Sequence, residues 1–164
     1  MIAVAQSYTG ATDNQPKRFS KYKMPNMPSA IIALVALVNE SDEVLLLKRG
    51  ADVHCPNVWS FPGGKVKADE LPLQAAMREL KEETALQGKH WRHISKHVHN
   101  YADQKLAFVF FFSRLKGNVS NLQSEDEWMW CKLDALQSLE MPDANIELVQ
   151  SLLECYEQDL FPAA

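Results

Sequence analysis

Gly63-Gly64-Lys65-Val66-Lys67-Ala68-Asp69-Glu70-Leu71-Pro72-Leu73-Gln74-Ala75-Ala76-Met77-Arg78-Glu79-Leu80-Lys81-Glu82-Glu83-Thr84-Ala85-Leu86 is the stretch that decides how this chain folds. Leu73, Ala76, Met77 and Leu80 recur at helical spacing, so the segment predicts a helix that buries one apolar stripe. Pro72 suits the first turn, and Asp69 with Glu70 suits the positive end of the helix dipole. Ala75 and Ala76 offer little bulk and would let another segment approach closely. At 3.6 residues per turn, Glu79, Glu82 and Glu83 share one neighbouring face. Carboxylates this close repel unless positive charge sits among them, and oxygen-only ligands suit hard ions such as Mg²⁺ or Mn²⁺. On the glutamates alone, a solvated acidic helix face accounts for the pattern equally well.

Outward from this helix, the pattern is that of one domain. Ile31 to Val38 is a continuous apolar run, as in a strand buried on both faces. Asn39 to Asp42 reads as a turn, and Val44 to Leu47 as the returning strand. Gly50 to Pro62 reads as a loop ending in a short Trp59-Ser60-Phe61 segment. Ile94–His99, Leu106–Phe112 and Trp128–Lys132 are further strands. A last helix spans about 144 to 158, with Leu148, Val149, Leu152, Leu153 and Tyr156 as its expected buried stripe. Strands interleaved with two substantial helices make an α/β chain with a mixed sheet between helices. Residues 1–28 are polar and aperiodic and read as a flexible extension; residues 29–164 form the domain.

Composition narrows the function. The chain has 164 residues and a formal net charge of −4, which disfavours a nucleic-acid polymer as partner. Cys55, Cys131 and Cys155 are odd in number and widely spaced, which favours reduced thiols in a cytoplasmic protein. No apolar run is long enough to span a membrane, and the N-terminus lacks the pattern of a secretory signal. His90, His93, His97 and His99 invite a zinc reading. No cysteine lies nearby, however, and surface or edge-strand histidines account for them better. His54 and Cys55 are adjacent in an extended segment and would point opposite ways, which argues against a nucleophilic pair. Phe108, Phe110, Phe111 and Phe112 are read as strand core, and Trp128 and Trp130 as core or interface anchors.

The spacing of the opening stretch resembles the Nudix box, G-x5-E-x7-R-E-U-x-E-E-x-G-U with U aliphatic. Gly64, Glu70, Arg78, Glu79, Leu80, Glu82, Glu83 and Leu86 fill its positions in register. Ala85 stands where the family has glycine. An alanine kept in that glycine's left-handed conformation would cost about 1 kcal/mol, and Gly88 is close enough to take over the cap. Leu47-Lys48-Arg49-Gly50-Ala51-Asp52, Trp59 to Lys65 and Met141-Pro142-Asp143-Ala144-Asn145 resemble the MutT-like nucleotide-sanitising branch, and Tyr101 to Gln104 lie where that branch flanks the base.

The resemblance implies a Nudix-type α/β/α sandwich over about residues 29 to 155, and a Mg²⁺-dependent hydrolase (Mn²⁺ being the alternative ion). It implies that Glu79, Glu82 and Glu83 bind the metal together with the Gly63 carbonyl, and that Glu79 activates water. Arg78 would hold the carboxylates by charge-assisted hydrogen bonds, and Glu70 would anchor the loop before the helix. A further carboxylate is expected from Glu125 or Glu127, between which spacing does not choose. Arg49, Phe61, Gly64, Lys65, Tyr101, Gln104 and Asn145 would meet the nucleotide. Asparagine suits a base edge because its amide offers donor and acceptor together; the plainer alternative makes Phe61 core and Asn145 a helix cap. The implied reaction converts a nucleoside triphosphate to monophosphate and pyrophosphate, with an oxidised purine such as 8-oxo-dGTP as substrate. Other nucleoside diphosphate derivatives (nucleotide sugars, dinucleoside polyphosphates), pyrimidine triphosphates and a non-catalytic sensor are the alternatives. A small-molecule partner is implied, with the chain a monomer or homodimer.

Overall fold

The computed structural model describes residues 26–164. Residues 1–25 of the expected extension therefore lie outside the described residues. Seven strands, β1 (Ala30–Val38), β2 (Glu43–Lys48), β3 (Trp59–Ser60), β4 (Gly63–Lys65), β5 (Gln87–Asn100), β6 (Lys105–Lys116) and β7 (Trp128–Lys132), form a single mixed sheet. Two helices, α1 (Pro72–Thr84) and α2 (Asp143–Glu157), cover its two faces. Single 3-10 segments at Val119–Asn121 and Leu133–Ser138 flank β7. Among the described residues no helix is long and apolar enough to cross a membrane.

β1 is the axis of the sheet. Along one edge it runs parallel to β6, from Ala30 opposite Leu106 to Val38 opposite Arg114. Its other edge is shared: Ile32 to Leu34 pair with β4, and Val38 pairs with Val44 of β2. Alternation along this apolar run sends side chains to opposite faces. Leu34, Ala36 and Val38 join the core beneath α2, with Leu148, Val149 and Leu152. Val35 and Leu37 pack with Leu80 of α1, while Ala33 meets Ala75 and Ala76. Both faces are buried, which is why the run shows no polar alternation. The four phenylalanines of β6 divide in the same way: Phe108, Phe110 and Phe112 face α2, and Phe111 faces α1.

One residue of each expected helix stripe lies off the buried face. On α1 the buried residues are Ala75, Ala76, Leu80 and Thr84, and Met77 is exposed. The two alanines seat the helix directly on Ala33, so the stripe rotates toward the small residues. On α2, Tyr156 is likewise exposed, its hydroxyl 3.4 Å from Asp42 Oδ2. β5 is longer than expected. Two register shifts, between Lys89 and Arg92 and between His93 and Ser95, break its alternation, and His90 takes a positive φ of 54° at the first. A bulge of this kind hides a strand from a period-2 reading.

The end of α1 settles the question raised by Ala85. Ala85 adopts the left-handed conformation, φ 60°, and its N–H donates to Lys81 O at 3.0 Å. Gly88 does not replace it: it pairs with Leu115 inside β5, where a β-carbon would collide with Ser113 Oγ. The glycine of the box pattern is absent, but the backbone it serves is kept. Ala85→Gly is therefore expected to stabilise the protein by about 1 kcal/mol, read as a rise in the urea midpoint with an unchanged slope.

Candidate active site

Two features of one short strand build the site. β4, paired with β1 in the sheet, carries Gly63 and Gly64 against α1. Gly63 has φ 148°, and a β-carbon there would collide with the Ala33 carbonyl oxygen. At Gly64 a β-carbon would lie 2.6 Å from Glu79 Cδ. Only glycine lets the backbone pass this close. The Gly63 N–H donates to Glu83 Oε2 at 3.1 Å.

Arg78 organises the carboxylates. Its Nε and Nη2 clasp Glu70 Oε2 and Oε1 at 3.0 and 2.6 Å. Nη1 donates to Glu79 Oε1 at 2.7 Å and to Glu82 Oε2 at 3.1 Å, and Nη2 also reaches Lys65 O at 3.2 Å. These bonds use the five N–H groups of a guanidinium. Glu70 accepts the Lys67 N–H as well, at 2.9 Å. Hydrogen bonding from Arg78, then from Lys67, holds the Glu70 carboxyl down at about 2. The carboxylate thus serves the approach loop rather than the helix dipole. Leu71, the residue preceding α1, instead donates its N–H to Gln74 Oε1 at 2.7 Å.

Glu83 is in the opposite situation. Burial pushes its carboxyl up to about 8, with the Glu79 and Asp126 charges adding to the rise against the Gly63 N–H and Arg49. Glu79, Glu82 and Glu83 line an open depression with Glu125 and Asp126. Of the two expected carboxylates, Glu125 is therefore the one beside the helix. Glu127 is turned away, with Oε2 3.2 Å from Lys48 Nζ. Asp126 was not anticipated, since three acids in a row carry no signal of which faces inward. Among the described residues no three such groups converge into a closed metal cage. An open, all-oxygen donor set short of positive charge nevertheless fits a hard divalent ion, which keeps waters and takes phosphate oxygens as ligands.

The nucleotide-binding candidates gather on the other side of β4. Arg49, Phe61, Gly64, Lys65, Tyr101, Gln104 and Asn145 all line one cavity of about 430 Å³, within the range of small-molecule sites. Phe61 is both core and wall: it is buried, and its ring lies 4.7 Å from that of Phe110. Asn145 is not a cap. Pro142 holds that position, and Asn145, buried in the first turn of α2, donates from Nδ2 to Ser60 Oγ at 3.2 Å. Arg49 is committed to its own loop, donating from Nε to the carbonyls of His54 and Cys55, both at 3.0 Å. Burial pushes the Tyr101 phenol up. His54 and Cys55, set aside as a nucleophilic pair, also line this cavity, and the His54 ring meets Tyr101 edge-on at 4.3 Å. Ser60 is a further wall residue that sequence reasoning missed.

The NUDIX domain family model matches residues 28–152. The chain belongs to the Nudix family. It is 32% identical over 123 residues to the 8-oxo-dGTP diphosphatase of Escherichia coli K12, covering 74% of this chain and 94% of that protein. The CTP pyrophosphohydrolase of the same organism is 24% identical, covering 75% of this chain and 92% of its own length. In fold the chain matches the crystal structure of a MutT protein from Methanosarcina mazei Go1, with a TM-score of 0.68, 21% identity, and 82% and 97% of the two chains covered. This Nudix protein is a MutT-like hydrolase, and the family acts on small nucleotide substrates with divalent metal ions.

The electrostatics of Glu83 give a stability test. Unfolded, its carboxyl ionises near 4.5; folded, it stays protonated to about 8. The unfolded chain therefore gives up this proton first, and stability falls as pH rises between those values. In chelator-treated protein, Glu83→Gln is expected to raise the melting temperature at pH 8 and to leave it nearly unchanged at pH 4.5. A divalent ion added at pH 8 should stabilise the native protein and erase that advantage.

Proposed function

We propose that this Nudix hydrolase converts a nucleoside triphosphate to its monophosphate and pyrophosphate with Mg²⁺, and that its substrate is an oxidised purine nucleotide such as 8-oxo-dGTP. One observation carries the reading: the glycine strand has the carboxylate depression on one side and the base-sized cavity on the other. A nucleotide held in the cavity would pass its phosphates across Gly63 and Gly64 to the carboxylates. The likeness to a curated 8-oxo-dGTP diphosphatase over 74% of this chain supports the substrate.

A divalent ion held by Glu79, Glu82, Glu83 and Glu125 with the Gly63 carbonyl would offset charge developing on phosphate oxygens and lower the pKa of water. Glu79 is the candidate base, taking the proton of the attacking water. Arg78 holds Glu79 in orientation, with its other donors anchored on Glu70 and Lys65 so that the guanidinium does not follow the carboxylate. Lys65 lies beside the phosphate path, and Arg49 fixes the loop over the cavity. Phe61 supplies a flat apolar wall for the base. Asn145 spends one amide hydrogen on Ser60, leaving its carbonyl oxygen and second hydrogen for a base edge. Removing such nucleotides would keep them from a polymerase.

A pyrimidine triphosphate is the second reading, favoured by the likeness to a CTP pyrophosphohydrolase. Gln104 in the cavity wall is an uncharged amide that suits either base.

Pyrophosphate release from 8-oxo-dGTP, dGTP and CTP, assayed side by side with Mg²⁺, decides between them. The expected outcome is a kcat/KM for 8-oxo-dGTP well above the others, whereas a preference for CTP would replace the first reading with the second. Glu83→Gln and Glu79→Gln should each lower kcat by about 10²-fold or more while circular dichroism is unchanged; near-normal turnover by either would sink the assignment. Asn145→Ala should cost about 10- to 100-fold in kcat/KM, the loss expected for an unpaired base edge.

A further inference from the structure

Among the walls of the nucleotide pocket, Tyr101 and Asn145 belong to two elements that also touch at a carboxylate–imidazole contact. Tyr101 follows β5 directly, and Asn145 sits in the first turn of α2. Two residues beyond Asn145, Glu147 places Oε2 2.6 Å from Nδ1 of His97 on β5. His97 is mostly buried and Glu147 is exposed, with 21% and 63% of their side-chain surfaces accessible. The Nε2 of His97 is buried without a partner among the described residues. The close polar contact of the imidazole is therefore the one that Nδ1 makes with Glu147.

The start of α2 has few other polar ties. Pro142 at its cap makes no side-chain hydrogen bond to the helix. Asn145 Nδ2 to Ser60 Oγ is its contact with β3, and the Tyr101 phenol lies against the Ala144 backbone. From His97 a row of rings also runs back to the cavity. His97 and His99 are 5.9 Å apart, His99 and Tyr101 4.5 Å, and Tyr101 and His54 4.3 Å. Alternate positions on a strand put these side chains on one face, the face that α2 covers.

We propose that His97 and Glu147 are positioning residues for the nucleotide pocket: their contact ties the first turns of α2 to β5 and so sets Asn145 opposite Tyr101. This rests on the reading of that cavity as the nucleotide site. Neither residue lines the cavity or the carboxylate depression, so their effect on the reaction passes through Asn145. An exposed partner limits the strength of an ion pair, and the expected effect is correspondingly modest. It falls on binding, because α1 and its carboxylates lie across the sheet.

Steady-state kinetics with the triphosphate that the wild-type protein turns over best tests this. His97→Leu and Glu147→Ala should each raise KM about two- to fivefold with kcat unchanged, and together no more than either alone. His97→Asn, whose amide nitrogen can stand where Nδ1 stands, should restore the wild-type KM. In an Asn145→Ala background neither substitution should raise KM further. If KM is unchanged in the single variants, if kcat falls instead, or if the effect survives in that background, the proposal is overturned. A drop in melting temperature with KM intact also overturns it, leaving a purely structural contact. Should His97→Leu fail to fold, Glu147→Ala, at an exposed carboxylate, carries the test alone. A wild-type protein that releases pyrophosphate from no triphosphate removes the underlying reading; one that does so while the variants share its KM removes only the clasp.

Discussion

The close passage of β4 between β1 and α1 is the constraint on which the rest of the molecule depends. Two consecutive residues without β-carbons let the backbone lie against the Ala33 carbonyl on one side and the Glu79 carboxylate on the other. Because the strand is thin there, a half-buried carboxyl on α1 can take the Gly63 N–H, and the same two residues can form the floor of the cavity opposite. A side chain at Gly63 would collide with β1, and one at Gly64 with the Glu79 carboxylate. Either would disturb the ground between the acidic depression and the cavity, across which the proposed nucleotide would lay its phosphates.

Arg78 solves the problem that this closeness creates. Carboxylates packed onto one helix face repel, and burial worsens the repulsion for Glu83. A guanidinium that shares its donors among Glu70, Glu79, Glu82 and a backbone carbonyl neutralises part of that charge. The planar fork also fixes direction, which a lysine would not. Glu83 lies outside this network, and burial, followed by the neighbouring carboxylate charges, pushes its carboxyl up. An open, acidic site of this kind fits the hard divalent ions that the family uses.

Much of this was legible without coordinates. The box residues stand at a spacing that places Glu79, Glu82 and Glu83 on one helix face. The apolar run before them admits a doubly buried strand, and β6 and β7 declare themselves by composition. What periodicity could not show was the start of β5, where bulges at Lys89 and at Ile94 spoil the alternation. Nor could it show that Met77 and Tyr156 turn outward, because the buried face of a helix is decided by the residues it packs on, as Ala33 does for Ala75 and Ala76. Ala85 kept the left-handed turn that glycine usually supplies, so a departure from the pattern left the backbone unmoved.

Residue identity and local spacing determined the chemistry: which side chains carry charge, which face of α1 they share, and which backbone positions tolerate only glycine. These are short-range properties, fixed by helical geometry and by the size of a β-carbon. Tertiary structure decided the rest. It turned Glu125 and Asp126 toward the helix and gave Glu127 to Lys48. It carried Asn145 from the far end of the chain to Ser60, and set Glu147 on His97 fifty residues earlier. Such pairings depend on where separate elements come to rest on a twisted sheet. No local pattern encodes that placement, because it emerges only when both faces of β1 are buried together.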